Sequence, residues 1–215
     1  MATTRSSRAP ARRAQRAPAR RRRTAGQRSV WPRRVFALLA LAGVALIAYA
    51  LLGGIFEKAV REFTLPLRHE DIIRQQAAEK DVDAALIAGV IYAESRFRDQ
   101  TSSAGARGLM QITRDTANEI ERHSGGSTFQ FEDLGDPDIN IRYGTFHLRE
   151  LLDLYDGNEV AALAAYNAGP ANADEWGGSA MEIEDVGFAE TRAYVAQVLD
   201  KREDYRRHYA KELGY

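Results

Sequence analysis

The acidic residue Glu94 ends an apolar run, in the stretch DAALIAGVIYAESRF that begins at position 83. Leu86, Ile87, Val90 and Ile91 recur with the spacing of one helix face, and Glu94 falls on the same face. Burial on that face disfavours the charged carboxylate and raises its pKa, and the negative end of the helix dipole acts in the same direction. A carboxyl group that keeps its proton near neutral pH can act as a general acid.

An ion pair is the alternative interpretation of Glu94, and helical geometry alone leaves both open. Arg98 lies one turn further along the chain, and Arg96 and Arg107 are also near in sequence. Beside one of these guanidinium groups the carboxyl would stay ionised and serve stability rather than proton transfer.

The segment after this helix, residues 98–108, is polar and contains two glycines. Its Ser, Thr and Gln side chains offer hydrogen-bond donors and acceptors of the kind that line a ligand opening. Leu109, Met110 and Gln111 then place apolar side chains beside an amide that can both donate and accept. This combination suits a polysaccharide with hydroxyl and N-acetyl groups.

Helical periodicity, with hardly any strand alternation, predicts an all-α domain after residue 57. The predicted helices cover residues 69–80, 83–97, 113–123, 138–154, 158–168 and 188–208. Asp136 and Pro137 are typical of an N-cap and a first helical turn. The same stretch imitates the start of a calcium loop, but Ile141 and His147 stand where that loop needs glycine and glutamate, so we expect a helix start.

The apolar, uncharged segment of 22 residues at positions 35–56 has the length of a membrane-spanning helix. Residues 1–34 contain 12 arginines and no acidic residue, whereas residues 35–215 hold 18 basic and 30 acidic residues. Because arginine-rich flanks stay in the cytoplasm, we predict that the acidic part lies outside it, on a bacterial cell membrane crossed once. The predicted organisation is a disordered basic cytoplasmic arm over 1–34, a transmembrane signal-anchor over 35–56, a linker over 57–67 and a catalytic domain over 68–215.

Two alternatives concern the same end of the chain. Ala48-Tyr49-Ala50 has the small-x-small form of a signal peptidase site, so the domain could be secreted after cleavage near Ala50. The arginine-rich arm could bind nucleic acid. Attraction to anionic lipid also accounts for its charge, and we expect no nucleic-acid partner.

The chain contains no cysteine and four histidines that are far apart in sequence. Disulfides, a thiolate nucleophile and a zinc-thiolate site are thereby excluded. The histidines lack the paired spacing of a metal-binding helix. We expect neither a metal nor a cofactor.

Four blocks in order resemble the soluble lytic transglycosylase family: ALIAGVIYAESRFRDQTSSAGARGLMQITRDTA, DPDINIRYGTFHLRELL, ALAAYNAGPANADEW and FAETRAYVAQVL. Together they cover residues 68–208. The resemblance implies an all-α, lysozyme-like fold that binds peptidoglycan glycan strands. It also implies cleavage of the β-1,4 bond between N-acetylmuramic acid and N-acetylglucosamine without water, giving 1,6-anhydromuramyl products.

The same resemblance assigns roles to individual residues. Glu94 matches the catalytic acid and base. Positions that contact substrate in the family are matched by Ser102, Met110, Gln111, Tyr166, Asn167, Glu190 and Tyr194.

Three of these assignments carry an alternative. Ser103 could take the place of Ser102, because this loop looks slightly shortened. Met110 and Tyr194 could instead be core residues, since apolar groups at helical spacing usually are. Arg192 is expected to hold Glu190 rather than to touch substrate.

The mechanism implied by the resemblance uses one carboxylate, whereas most glycosidases use two. Asp99 follows Glu94 by five positions and is expected to point off its helix face. One rival is a hydrolase of the lysozyme type, with Asp99 or Glu190 as second carboxylate. The other rival is a membrane-tethered module that binds the cell wall without catalysis.

Overall fold

The computed structural model describes residues 31–125 and 130–215, apart from the side chains at positions 32–34, 50–55 and 57. The chain divides into two compact units, residues 1–52 and residues 53–215. Of the predicted cytoplasmic arm, residues 1–30 lie outside the described residues, and residues 31–34 begin the first helix.

The regular elements of the described residues are helices, and no strand occurs among them, which confirms the all-α prediction. Two isolated β-bridges, Thr101–Arg107 and Arg107–Ile112, are the extended pairings in the described ranges. The α-helices are α1 Trp31–Thr64, α2 Glu70–Lys80, α3 Ala84–Ser95, α4 Arg114–Ser124, α5 Pro137–Leu154, α6 Glu159–Ala168, α7 Pro170–Glu175, α8 Ala189–His208 and α9 Ala210–Leu213. Short 3₁₀ turns cover Phe131–Gly135, Gly178–Ala180 and Ile183–Asp185.

Helix α1 differs from the prediction because it continues through most of the expected linker. Residues 57–64 contain neither glycine nor proline, and the helix ends at Thr64, just before Leu65 and Pro66. A residue that precedes proline disfavours the helical conformation, which explains this end point. Within the part of the chain that the structure describes, no helix combines the length and apolar character needed to cross a membrane.

The starts of the later helices follow from local capping. Asp83 accepts a hydrogen bond from the amide of Ala85 at the start of α3. Asp136 does the same for the amide of Asp138 at 2.8 Å, with Pro137 in the first turn of α5. These contacts confirm the helix start that was preferred over a calcium loop. Helices α7 and α9 were not predicted, because six and four residues are too short to show a periodic pattern.

Helix α3 runs through the core and packs most extensively against α8. All residues from 84 to 91 are buried, so the helix is apolar on every side rather than along one stripe. At Gly89 an added Cβ would lie 2.8 Å from the carbonyl oxygen of Val198, so only glycine permits this close approach of α3 and α8. The approach brings Glu94, at the end of α3, beside Tyr194 of α8.

Candidate active site

The carboxyl group of Glu94 lies in the last turn of α3 and is largely enclosed by protein. Burial raises the pKa of Glu94 from its usual 4.5 to about 7, and the nearby hydroxyl of Tyr194 partly opposes this rise. Among the described residues no aspartate or glutamate contributes to the shift. Glu94 can therefore both give and take a proton near neutral pH.

The ion-pair alternative for Glu94 is not what the structure shows. Within the described ranges no arginine, lysine or histidine forms an ion pair with Glu94. The Arg96 guanidinium lies over the ring of Tyr92, 5.9 Å from its centre. Arg98 donates from Nε to the carbonyl of Ser95 at 3.4 Å.

Two tyrosines, Tyr166 and Tyr194, lie near Glu94. The hydroxyl of Tyr166 donates to the carbonyl of Met110 at 2.9 Å. The hydroxyl of Tyr194 lies near the Glu94 carboxyl, and within the described part of the chain this buried group forms no hydrogen bond of ordinary length. Burial first, and then the nearby charge of Glu94, raise the pKa of both phenols well above 10. Both therefore stay protonated and can donate.

The Met110 side chain is in the core, the alternative that its position in the sequence also allowed. It is fully buried against Gly144, where an added Cβ would lie 2.4 Å from its sulfur atom. What Met110 offers to the site is its backbone carbonyl, which holds the Tyr166 hydroxyl. Its amide donates in turn to Oδ1 of the buried Asn140 at 2.8 Å.

Asn140 also fixes the chain on either side of Met110. Its Nδ2 donates to the carbonyl of Arg107 at 2.9 Å and to that of Leu134 at 3.0 Å. Gly108 passes so close to Asn140 that a Cβ would lie 2.1 Å from Nδ2, and its φ is 80°. The turn that presents Tyr166 with its acceptor thus depends on one amide and one glycine.

Gln111 and Ser102 are largely engaged in bracing the loop between α3 and α4. The Gln111 side chain donates to the carbonyls of Gly108 at 2.7 Å and Gln100 at 3.0 Å. The Ser102 hydroxyl accepts from the amide of Ala106 at 3.0 Å, whereas Ser103 is exposed. Neither serine forms a hydrogen bond to Glu94 among the described residues.

Asn167 contacts the first turn of α8, in which Glu190 also lies. The hydroxyl of Thr191 donates to Oδ1 of the exposed Asn167 at 2.8 Å, and Glu190 beside it is exposed. The expectation that Arg192 holds Glu190 is wrong. Arg192 instead donates to the carbonyl of Val186 at 2.6 Å, because the chain turns back toward it before α8.

His147 belongs to the site although the sequence reasoning missed it. Its ring centre lies 5.4 Å from that of Tyr166, and both line a cavity of about 490 Å³. Burial lowers the pKa of His147 from 6.5 to about 4, so the imidazole is neutral at physiological pH. His147 shares its face of α5 with Asn140 and Gly144 by helical spacing, and this pattern would have pointed to all three.

Comparison with known proteins identifies the same region. The profile that describes the "Transglycosylase SLT domain" matches residues 71–186. The soluble lytic murein transglycosylase of Salmonella typhimurium is 33% identical over 162 residues, 69% of this chain and 24% of that protein. The membrane-bound lytic murein transglycosylase F of Desulfosudis oleivorans is 36% identical over 116 residues, 51% of this chain and 24% of that protein.

A solved structure agrees with these matches in three dimensions. The crystal structure of the 70 kDa soluble lytic transglycosylase of Escherichia coli superposes with a TM-score of 0.65 at 30% sequence identity. The match covers 71% of this chain and 26% of that one. The chain thus spans about a quarter of the length of the relatives it matches. With the profile covering more than half of its residues, the chain belongs to the transglycosylase SLT domain family.

Proposed function

We propose that residues 68–215 form a peptidoglycan lytic transglycosylase with Glu94 as its catalytic acid and base. The single observation that carries this proposal is the enclosed carboxyl of Glu94 with a pKa of about 7. Family membership and the relatives named lytic murein transglycosylases support the substrate and the reaction class.

In the proposed reaction Glu94 first donates its proton to the oxygen between N-acetylmuramic acid and N-acetylglucosamine. The bond from C1 to that oxygen breaks, and the substrate's own acetamide stabilises the cation left at C1. The Glu94 carboxylate then takes the proton of the muramic C6 hydroxyl. The C6 oxygen bonds to C1 and closes the 1,6-anhydro ring. No water is consumed, and Glu94 is protonated again.

One carboxylate is enough for this sequence of steps, and the surroundings of Glu94 favour a one-carboxylate mechanism. The rise in its pKa comes from burial, and no like charge among the described residues contributes to it. Asp99 and Glu190, the candidates for a second carboxylate, are both exposed. Most glycoside hydrolases use a second carboxylate at the reacting sugar to activate water or attack C1.

The other site residues have supporting roles in this proposal. Tyr194 stabilises the Glu94 carboxylate after the proton has left, because its protonated hydroxyl lies beside that carboxylate. Tyr166 is held by the Met110 carbonyl with its ring toward the cavity. Because Thr191 occupies Oδ1 of Asn167, the amide hydrogens of Asn167 are left to donate to a sugar oxygen. Ser102, Gln111 and Glu190 remain proposed contacts with the strand.

Mass spectrometry of digested sacculi tests the reaction. The full chain, purified in detergent, is expected to release muropeptides with 1,6-anhydro ends, and Glu94→Gln to release essentially none. Products heavier by one water, lost in Asp99→Asn or Glu190→Gln, would establish the hydrolase instead. Binding without any product in the wild type would establish the non-catalytic module.

We also propose that residues 35–56 anchor the protein in the membrane, with the domain on the extracytoplasmic side. The segment is uncharged, and large apolar side chains are exposed among its described residues, as in Phe36 at 74% and Leu38 at 66%. Exposed apolar side chains of this kind are stabilised by contact with lipid rather than with water. The Desulfosudis relative named as membrane-bound supports this placement.

Cysteine labelling tests the topology cleanly, since the chain has no cysteine of its own. In intact cells a membrane-impermeant maleimide is expected to label Tyr215→Cys but not Ser7→Cys. Labelling of both, or release of the domain into the medium with a new terminus near Ala50, would contradict a retained anchor.

A further inference from the structure

A second cavity, of about 510 Å³, lies between the last turns of α1 and the second half of α8. All of its lining residues belong to the second compact unit, and the residues around the catalytic carboxyl are not among them. Its apolar lining includes Phe56, Val60 and Leu65, and its basic lining includes Lys58 and Arg61. This cavity, called the juxtamembrane cavity below, combines an apolar wall with positive charge.

The positive charge of the juxtamembrane cavity is available to a ligand. Within the described ranges neither Lys58 nor Arg61 forms an ion pair with an acidic side chain. The Arg61 guanidinium lies over the ring of Tyr209, 5.3 Å from its centre, a contact that holds the group without neutralising its charge. Asp204 also lines the cavity, but it accepts a hydrogen bond from Lys201 at 2.6 Å. Two cations therefore remain for an anion.

The end of α1 is fastened to the domain, so the cavity exists before any ligand binds. Three tyrosine hydroxyls donate to the carbonyls of three successive residues: Tyr92 to Thr64 at 3.2 Å, Tyr209 to Leu65 at 2.8 Å and Tyr205 to Pro66 at 2.6 Å. A site whose walls are already fixed loses little conformational entropy when it binds a ligand.

The two cations lie at the depth of lipid headgroups if residues 35–56 span the membrane. Phe56 is then the last membrane residue, and Lys58 and Arg61 follow it by two and five positions. These positions are about 3 and 8 Å further along the helix axis. The headgroup region is roughly 5–8 Å thick on each side of the hydrocarbon core. Glu62, on the same stretch of α1, is exposed and does not line the cavity.

We propose that the juxtamembrane cavity binds an anionic phospholipid of the extracytoplasmic leaflet. The phosphodiester oxygens accept hydrogen bonds from Lys58 and Arg61, and the glycerol and upper acyl chains contact Phe56 and Val60. The inference rests on the membrane anchor put forward under the proposed function. It adds a second contact between the domain and the membrane surface, and that contact depends on lipid charge.

Native mass spectrometry of the full chain in detergent tests this proposal apart from catalysis. The protein is titrated with phosphatidylglycerol, or with phosphatidylcholine that has the same acyl chains but no net charge. We expect tighter binding of phosphatidylglycerol. Combining Lys58→Gln with Arg61→Gln should weaken that binding by on the order of tenfold and leave phosphatidylcholine binding unchanged. Lys58 is exposed and Arg61 is half-buried, and neither belongs to the core.

The matched control combines Arg68→Gln with Arg207→Gln, which removes two exposed cations outside the cavity. The arginine-rich residues 1–34 are present in every variant, so lipid that they bind cancels in the comparison. An equal loss of binding in the control pair, or equal binding of the two lipids by the wild type, overturns the proposal.

An excess of inorganic phosphate distinguishes a lipid from a free anion. Phosphatidylglycerol should stay bound, because its glycerol and acyl chains also contact the apolar wall, and its displacement would overturn the assignment to a lipid. The cysteine-labelling experiment decides separately about the membrane anchor, since lipid binding in detergent does not depend on topology.

Discussion

The hydroxyl of Tyr194 lies beside the carboxyl of Glu94 at the interface of α3 and α8, and it lowers the pKa that burial raises. The relationship depends on Gly89, which lets the two helices approach closely. Burial makes Glu94 an acid near neutral pH, and Tyr194 moderates that effect by favouring the carboxylate.

Tyr194→Phe removes the group that lowers the pKa of Glu94. The pKa should therefore rise above its present value of about 7, and the alkaline limb of the pH–rate profile should move to higher pH. The measurement is kcat/KM for release of anhydro ends as a function of pH. Tyr92→Phe, which removes a hydroxyl on the same helix α3 that bonds to Thr64, should leave the limb in place.

Glu94→Gln is expected to stabilise the fold at alkaline pH while it abolishes activity. A carboxyl whose folded pKa of about 7 exceeds its usual 4.5 binds its proton more tightly when folded. The contribution of Glu94 to the free energy of unfolding is therefore fully present below pH 4.5. It is lost as pH rises through 7, by on the order of 3 kcal/mol. In urea unfolding between pH 4 and pH 8, the unfolding free energy of the variant minus that of the wild type should increase with pH. A difference that does not change with pH would contradict the burial of Glu94.

His147→Gln should remove a pH dependence of stability whose sign is opposite to that caused by Glu94. Because the folded pKa of His147, about 4, lies below its usual 6.5, the unfolded chain binds the proton more readily. Stability is lost as pH falls from 6.5 to 4, by on the order of 3 kcal/mol. The unfolding free energy of the variant relative to wild type should rise on acidification. The exposed His208 offers the matched substitution, His208→Gln, for which a similar rise would refute the assignment to His147.

Gly108→Ala should disrupt the turn that holds Tyr166 in place. Its φ of 80° is unfavourable for alanine, and the added Cβ would meet Asn140 at 2.1 Å. We expect destabilisation of at least about 3 kcal/mol, since backbone strain and a clash in the core combine. Gly105→Ala has a similar φ of 84° with open space around it and should cost only about 1 kcal/mol. Equal effects in thermal unfolding would show that the contact with Asn140 is unimportant.

Helix starts and the position of the central carboxylate were predictable because they depend on neighbours a few residues away. Asp83 and Asp136 cap helices with their own side chains, and each contact spans two residues. The C-terminal ends of the helices were harder to predict. Helix α3 stops at Ser95 because Arg96 and Phe97 both adopt positive φ. This conformation turns Phe97 into the core, where its ring packs against that of Tyr205, 108 positions further along the chain.

The sequence by itself determined that the domain is helical, where most helices begin, and which glutamate could carry a proton. Only the tertiary structure decided how the groups around that glutamate act. It turned Met110 into a core residue with a useful carbonyl, made Asn140 the anchor of the Gly108 turn, and placed His147 beside Tyr166. The physical reason is that caps and periodicity act within one or two helical turns. The pKa of Glu94, in contrast, is set by burial in the folded domain and, to a smaller extent, by Tyr194 of α8, which lies 100 residues later in the chain.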